Sequence, residues 1–268
     1  MPGHDSADGK VELCGVRVDA LTMPQVVARV GEAVRTRQPL AISVVNAAKL
    51  VHMRSDALLR ESVESGDLVL ADGMSLVWLS RLKGRPLPER VAGIDLMFEL
   101  FRLAHRERLR VYFLGAGADT LSRVIEVVRR DYPNMVIAGF RDGYFCDDQE
   151  EQVADDVRSA AADVLLVAMS SPKKEYFMRR WGDSLRVPLC HGVGGSFDVL
   201  AGKTRRAPRW MQRFGLEWFY RLAQEPRRLW KRYLITNLKF AFLASADVAR
   251  SWWGPGRAQR RAIPRNAR

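Results

Sequence analysis

Cysteine is scarce in this chain, and its spacing excludes the commonest cysteine-based structures. The 268 residues include 3 cysteines, Cys14, Cys146 and Cys190, which are odd in number and far apart. No Cys-x-x-Cys pair or Cys/His cluster occurs, so the sequence predicts neither a disulfide framework nor a structural zinc site. Reduced thiols in a cytoplasmic protein are the expected state.

Long hydrophobic runs and the Asp-x-Asp motif are also missing. The polar segment 1–10 does not look like a signal peptide. No stretch reaches the roughly 18 consecutive apolar residues that a transmembrane helix needs, so any membrane contact is expected to be peripheral. Because Asp-x-Asp does not occur, the sequence does not indicate a divalent metal held by two carboxylates on a nucleotide diphosphate. No metal or cofactor is predicted.

Positive charge is abundant but confined to one end of the chain. From Gly202 to Arg268 there are 3 Lys and 14 Arg against 3 acidic residues, a net +14 that exceeds the +12 of the whole chain. Five of the 7 tryptophans lie within 207–253. Basic, tryptophan-rich helices are typical of membrane interfaces, so we expect a membrane-associating helical appendage over 202–253 and a disordered tail over 254–268. The alternatives are a helical cap with a solvated charged face and a nucleic-acid-binding surface.

The remainder, 11–201, has the pattern of an α/β core. Apolar stretches, small-residue turns and helix-periodic segments alternate along it, which predicts a Rossmann-like parallel sheet with flanking helices. A short strand is expected over 15–21, and Thr22 with Gln25 forms a capping box that predicts a helix to Arg37. Further strands are predicted at 40–45, 68–70, 110–114, 135–140, 163–169 and 187–191.

Asp72 is the leading candidate for a functional side chain. It follows the apolar stretch Leu68–Ala71 and precedes Gly73, at the carboxyl end of a predicted strand. Ligands of open α/β sheets bind at this edge. The alternative is that Asp72 only caps the helix that follows. The glycines Gly192, Gly194 and Gly195 indicate close backbone approach by a ligand at the end of another strand.

Two further patterns leave alternatives open. Gly115-x-Gly117 is part of a dinucleotide fingerprint without its third glycine, so it is compatible with a phosphate site, a tight turn or an NAD(P)-dependent oxidoreductase. Arg221, Arg227, Arg228 and Arg232 form a cluster that could bind a diphosphate or face lipid or solvent. The histidines are isolated from one another and are expected to be packed or exposed rather than catalytic.

Several blocks, in order, resemble the WecG/TagA/CpsF family of bacterial glycosyltransferases. The resemblance covers about Val16 to Asn237. It is carried by Asn46, Ala71–Gly73, Arg90–Leu96, Asp142–Phe145, Pro172-Lys173-x-Glu175, Gly192–Asp198, Arg206–Pro208, Glu217–Leu222 and Glu225-Pro226-x-Arg228.

The resemblance implies an inverting, metal-independent enzyme. It would transfer a hexose, of N-acetylmannosamine type or glucose, from a UDP-sugar to a polyprenyl-diphosphate-linked sugar, in cell-surface polysaccharide or teichoic acid synthesis. Location at the inner face of the plasma membrane is implied, with an anionic membrane surface and no nucleic acid as partner.

The resemblance also implies roles for individual residues. Asp72 matches the general base, Asn46 and Arg90 match pocket residues, and Gly93 and Asp95 lie in the same block as Arg90. The arginines of the appendage, among them Arg221, Arg228 and Arg232, would complete the site around the leaving group. Val44 and Lys174 replace a threonine and a glutamine common in the family, at positions that would face the substrate pocket, so the resemblance leaves the transferred sugar open.

Overall fold

The computed structural model describes residues 9–253, without the side chains of Arg228 and Trp253. The disordered tail predicted over 254–268 lies outside the described residues. The strands are β1 (Lys10–Leu13), β2 (Val16–Asp19), β3 (Leu40–Val45), β4 (Leu68–Ala71), β5 (Arg110–Gly115), β6 (Val136–Arg141), β7 (Val164–Ala168) and β8 (Leu189–Gly192). The helices of the core are α1 (Met23–Thr36), α2 (Ala47–His52), α3 (Ala57–Glu64), α4 (Met74–Leu82), α5 (Gly93–Glu107), α6 (Ala118–Asp131), α7 (Glu150–Ser159), α8 (Lys173–Leu185) and α9 (Ser196–Leu200).

The central sheet confirms the predicted α/β fold. Its 6 strands run parallel in the order β4-β3-β8-β7-β5-β6. The chain passes from β3 to β4 on one side, while the other four strands lie on the opposite side of β3. The carboxyl ends of β3, β4 and β8 therefore meet at one edge, where a crevice for a ligand is expected.

Both faces of the sheet are buried, which explains why most strands are continuously apolar. One face packs against α1, α5, α6 and α9 around Phe101, Phe113 and Phe197. The other face is divided between the β1–β2 hairpin with α2, α3 and α4, and a second cluster with α7 and α8 around Phe177.

The C-terminal segment is helical, as expected, and packs on the core. It consists of α10 (Arg209–Arg213), α11 (Glu217–Gln224) and the 28-residue α12 (Pro226–Trp253). Phe240, Leu243 and Val248 of α12 pack against the apolar cluster beneath the hairpin. Buried Asp247 accepts hydrogen bonds from the Cys14 backbone N–H and from Lys83 Nζ, both at 2.7 Å. The end of α12 is therefore anchored to the core by a buried carboxylate.

The predicted strands and the capping box of α1 are present, and α3 and β1 are among the elements that were not predicted. The Thr22 hydroxyl and the Gln25 side chain form the reciprocal contacts of the box. Helix α3 was not predicted, although Asp56 caps it by accepting a hydrogen bond from Leu59 N at 2.9 Å. Strand β1 was also not predicted; it pairs only with β2, in a two-stranded sheet separate from the central one.

Candidate active site

Asp72 is held at the carboxyl edge of the sheet by its own backbone and by a neighbouring helix. Its N–H donates to Val45 O at 2.8 Å, which extends the pairing of β3 with β4 by one residue. Its Oδ1 accepts a hydrogen bond of 3.1 Å from the backbone N–H of Gly93, the first residue of α5. A cap on the following helix is therefore the wrong interpretation, because α4 has Gly73 at its N-cap and Asp72 instead meets the start of α5.

The surroundings of Asp72 act on its protonation in opposite directions. Burial raises the pKa of the Asp72 carboxyl, and the charge of Glu217 raises it further. The Gly93 N–H and the cations Arg90 and Arg221 oppose these effects without cancelling them. A carboxylate whose pKa is shifted toward neutrality is a better proton acceptor than an exposed aspartate.

Asn46 and Arg90, both predicted to line the pocket, lie close to Asp72. Asn46 follows β3 and caps α2, since its Oδ1 accepts a hydrogen bond of 3.0 Å from Lys49 N. A Cβ atom added at Gly73, the residue after Asp72, would lie 3.7 Å from the Cβ of Asn46. The segment carrying Arg90 runs past the end of β4, where Val91 N donates to Ala71 O at 2.9 Å.

Arg90 belongs to a four-residue group that we call the arginine–carboxylate cluster: Arg90, Asp95, Arg206 and Glu217. Arg206 donates two hydrogen bonds, of 2.7 and 2.8 Å, to the carboxylate of Asp95. Arg90 lies 3.4 Å from Asp95 and donates to Glu217 through its other terminal nitrogen. Arg206 Nε lies 3.8 Å from Glu217, which closes the ring. Two residues come from the core and two from the C-terminal segment.

Lys174 lies in a buried ion cluster beside the same edge. Its ammonium and that of Lys49 both lie 2.7 Å from Glu175 Oε1, and all three side chains are less than 10% exposed. Burial and Lys49 lower the pKa of Lys174, whereas Glu175 and Asp72 act to raise it. Burial opposes ionisation of Glu175, but the two lysines outweigh it and hold its pKa low. A side chain at Gly192 would approach Lys174 to 3.1 Å, so that glycine makes room for the lysine.

The remaining predicted residues have less definite environments. Gly194 has a φ of +53°, and exposed Gly195 precedes α9. Arg221 on α11 is exposed and acts electrostatically on Asp72. Arg232 is exposed, with its guanidinium 5.4 Å from the Tyr233 ring centre. The side chain of Arg228 lies outside the described part of the structure. Direct contact of these residues with a ligand stays a prediction.

The Gly115-x-Gly117 segment is a tight turn with a clear packing reason. Gly115 has a φ of +122°, and a Cβ there would lie 2.5 Å from the backbone of Ala168. A Cβ at Gly143 would in turn meet Gly115 Cα at 3.0 Å. These glycines allow the loops after β5, β6 and β7 to pack closely, which accounts for them without a dinucleotide.

His191 and Arg206 also lie at this site, although neither was among the predicted site residues; His191 is packed, as one of the two expected states of the histidines. His191 on β8 is fully buried and lies with its Nε2 3.2 Å from Gly93 O. Because a carbonyl only accepts, Nε2 carries the hydrogen in this contact. Thus His191 contacts the residue that binds Asp72. The only feature of the sequence that pointed to Arg206 was its place in Arg206–Pro208, one of the segments that resemble the family.

We predict that His191 makes the protein less stable in acid. Burial lowers the pKa of His191 to about 4, against the opposing effects of the Gly93 and Ile42 backbone groups, and Lys174 and Lys49 add to the shift. Unfolding releases the ring to an ordinary pKa of about 6.5, so the unfolded state binds the proton first. The free energy of unfolding should therefore fall by roughly 3 kcal/mol between pH 6.5 and 4.

Urea unfolding at pH 7, 6, 5 and 4.5 tests this expectation. His191→Gln, which keeps a donor at similar reach, should lose this part of the pH dependence. His52→Gln, at an exposed histidine on α2, should retain it. An identical pH slope in the His191 variant and the unaltered protein would contradict the prediction.

Comparison with known proteins identifies the family of this chain. The family model described as "Glycosyl transferase WecG/TagA/CpsF family" matches residues 11–254. The chain belongs to this family. It is therefore a glycosyltransferase by class, and the predicted resemblance is confirmed.

Two Bacillus relatives have the same name, N-acetylglucosaminyldiphosphoundecaprenol N-acetyl-beta-D-mannosaminyltransferase. The Bacillus spizizenii (strain ATCC 23059 / NRRL B-14472 / W23) protein is 41% identical over 172 residues, which are 64% of this chain and 66% of that protein. The Bacillus subtilis (strain 168) protein is 37% identical over 193 residues, which are 72% of this chain and 74% of that protein. The first match thus spans slightly less than two thirds of the relative.

Residues 9–253 contain neither a cluster of metal-binding side chains nor a helix suited to crossing a membrane. No group of three or more His, Cys, Asp or Glu side chains there is arranged to hold a metal ion. Likewise, none of the helices in that range combines the length and apolar character needed to cross a membrane.

Proposed function

We propose that this protein is an inverting, metal-independent hexosyltransferase. It moves a sugar of the N-acetylmannosamine or glucose type from a UDP-sugar to a polyprenyl-diphosphate-linked sugar in the synthesis of a cell-surface polymer. The observation that carries the proposal is Asp72, a carboxylate of raised pKa at the carboxyl edge of the sheet. Family membership and the names of the two Bacillus relatives support the substrate class.

In this mechanism Asp72 is the general base. An acceptor hydroxyl attacks the anomeric carbon from the face opposite UDP, and Asp72 takes the hydroxyl proton as the new C–O bond forms. The bond from the anomeric carbon to the diphosphate oxygen breaks with its electron pair, which leaves UDP. The Gly93 N–H, 3.1 Å from Asp72 Oδ1, keeps the carboxylate oriented throughout.

Departing UDP carries negative charge that the protein must stabilise. We assign this role to the appendage arginines Arg221, Arg228 and Arg232, since guanidinium groups bind phosphate oxygens strongly and in a fixed geometry. Support comes from Arg221, whose charge already acts on Asp72 across the boundary between core and appendage. Backbone N–H groups at the edge of the sheet would assist in the same way.

The sugar would lie between Asp72 and the strand ends of β3 and β8. Val44 and Lys174, the two departures from the family pattern, are on this side, and the side chain of Val44 lies 3.6 Å from a Cβ added at Gly93. Lys174 has three ammonium hydrogens and one ion-pair partner within the described residues, Glu175. We propose that both positions influence which hexose is accepted.

We further propose that the appendage binds the inner face of the plasma membrane as a peripheral element. Helix α12 has one face packed on the core and a second apolar face that is exposed. Leu234, Leu238 and Phe242 follow one another at four-residue spacing on that exposed face, at 54%, 64% and 76% exposure. Exposed Arg227 and Lys231 precede them. An apolar stripe with basic residues at its end suits an anionic lipid surface.

The proposal is tested by measuring UDP release from a panel of UDP-sugars. The reaction contains a polyprenyl-diphosphate-linked N-acetylglucosamine acceptor in detergent or vesicles, with EDTA. We expect release with one donor, dependent on the acceptor and insensitive to EDTA. Loss of release in EDTA, restored by a divalent cation, would refute metal independence alone. Absence of both release and UDP binding would refute the transferase proposal.

A further inference from the structure

The arginine–carboxylate cluster joins two parts of the chain at the edge of the proposed site. Arg90 precedes α5 and Asp95 lies in its first turn, whereas Arg206 follows α9 and Glu217 begins α11. The four side chains are between 11% and 37% exposed, so water screens their charges only partly. Their formal charges sum to zero.

Within this cluster, Glu217 is the main hydrogen-bond acceptor of Arg90, which donates to it through Nη1. The contacts of Arg90 Nη2 with Asp95 and with the side-chain oxygen of Gln212 are 3.4 and 3.5 Å, at the limit of hydrogen-bond distance. Asp95 is already held by Arg206 through two short hydrogen bonds. Without Glu217, Arg90 would retain only these long contacts among the described residues.

Arg90 also lies on the segment that fixes Asp72. Val91 hydrogen-bonds to Ala71, the residue before Asp72, and Gly93 donates directly to the Asp72 carboxylate. Arg90 is thus within three residues of both backbone groups that contact Asp72 and its neighbour, so a displaced Arg90 would be expected to move them. Glu217 comes from the appendage, so the orientation depends on α11 being in place.

We propose that Glu217 is a positioning residue that acts through Arg90 to align the Asp72 site when α11 is docked. This inference rests on the proposed glycosyl transfer. Glu217 makes no contact with the reacting atoms in this scheme. It couples the appendage to the core, so that Asp72 is correctly oriented only when α11 is docked.

Three substitutions at Glu217 separate positioning from stability. Glu217→Ala removes the contact, Glu217→Gln keeps an acceptor without the charge, and Glu217→Asp keeps the charge on a shorter chain. Small misplacements in an active site can cost up to about 100-fold in rate, so we expect a fall in kcat of on the order of 10- to 100-fold for Glu217→Ala. The KM for the UDP-sugar should change much less, and Glu217→Asp should recover part of kcat.

A matched control and a pH profile exclude a merely structural role. Glu61→Gln removes a 2.7 Å ion pair with Arg179 between α3 and α8, away from the cluster, and should leave kcat unchanged. Since the Glu217 charge raises the pKa of Asp72, Glu217→Gln should move the acid limb of the kcat profile to lower pH. A proportional loss of kcat and folded protein, with an unmoved acid limb, would overturn the proposal.

Hydrogen–deuterium exchange tests the inference independently of catalysis. In the full-length protein, Glu217→Ala should increase exchange in α11 and in peptides covering residues 90–96, while Glu61→Gln should not. Unchanged exchange at 90–96 would overturn positioning even if the enzyme is active. If the unaltered protein shows no transfer with any donor, the proposed function fails, and the exchange result still decides whether Glu217 holds this segment.

Discussion

Replacing Asp72 by asparagine is expected to reduce sugar transfer by on the order of 10²–10⁴-fold, the usual contribution of a general base. Asparagine has nearly the same shape, and its side-chain oxygen can still accept the hydrogen bond from Gly93 N. It cannot take a proton from the acceptor hydroxyl. The fold, the melting temperature and UDP binding should therefore change little, while kcat falls.

The control for Asp72→Asn is the same substitution at a carboxylate outside the site. Asp148→Asn, at an exposed position on the short 3-10 helix Asp147–Gln149, should leave transfer unaltered. Because burial raises the pKa of Asp72, the unaltered enzyme should lose activity on the acid side above the ordinary aspartate range. Turnover by Asp72→Asn equal to that of the control would remove Asp72 from the role of base.

The sheet was predictable because its strands are short apolar runs separated by turns that specify βα units. That pattern also located Asp72, since a residue directly after a buried parallel strand must lie at the ligand-binding edge. The pattern could not reveal the partner of Asp72. Gly93 is 21 residues away and reaches it only because the segment before α5 runs along the end of β4.

The contacts between core and appendage were beyond sequence reasoning for a related reason. Arg206 and Asp95 are 111 residues apart, and Arg90 and Glu217 are 127 apart. Many arginines of the basic segment are chemically equivalent candidates to pair with Asp95, and the sequence does not show which arginine pairs with Glu217. Only the packing of α10 and α11 on the core selects these pairs. Asp247 illustrates the same point, because its partners Cys14 and Lys83 lie in distant parts of the chain.

Composition predicted the character of α12 but not its two apolar faces. A helix with one face in the core and another exposed has apolar residues around most of its circumference, so simple amphipathic periodicity is weak. The packed face contains Leu229, Phe240 and Leu243, and the exposed face contains Leu238 and Phe242. The surplus of apolar surface beyond what the core needs is the feature that favours lipid over solvent.

The triple substitution Leu234→Gln, Leu238→Gln and Phe242→Gln is therefore expected to weaken binding to anionic vesicles by roughly 100-fold. Each of these side chains is more than half exposed, so inserting it into the interface would contribute about 1 kcal/mol, and three contribute about 3 kcal/mol. Glutamine keeps helix propensity high, and the packed face of α12 is unaltered. The melting temperature should stay within a few degrees.

Vesicle flotation with the full chain measures this effect. Leu58→Gln on α3, 49% exposed and outside the appendage, is the matched control and should float like the unaltered protein. Arg227→Gln with Lys231→Gln should weaken binding to anionic vesicles and have little effect on zwitterionic ones, because their contribution is electrostatic. If the triple variant floats normally, the apolar face is not the membrane contact. If it loses vesicle binding but retains salt-sensitive DNA binding, the basic residues have a second polyanionic partner.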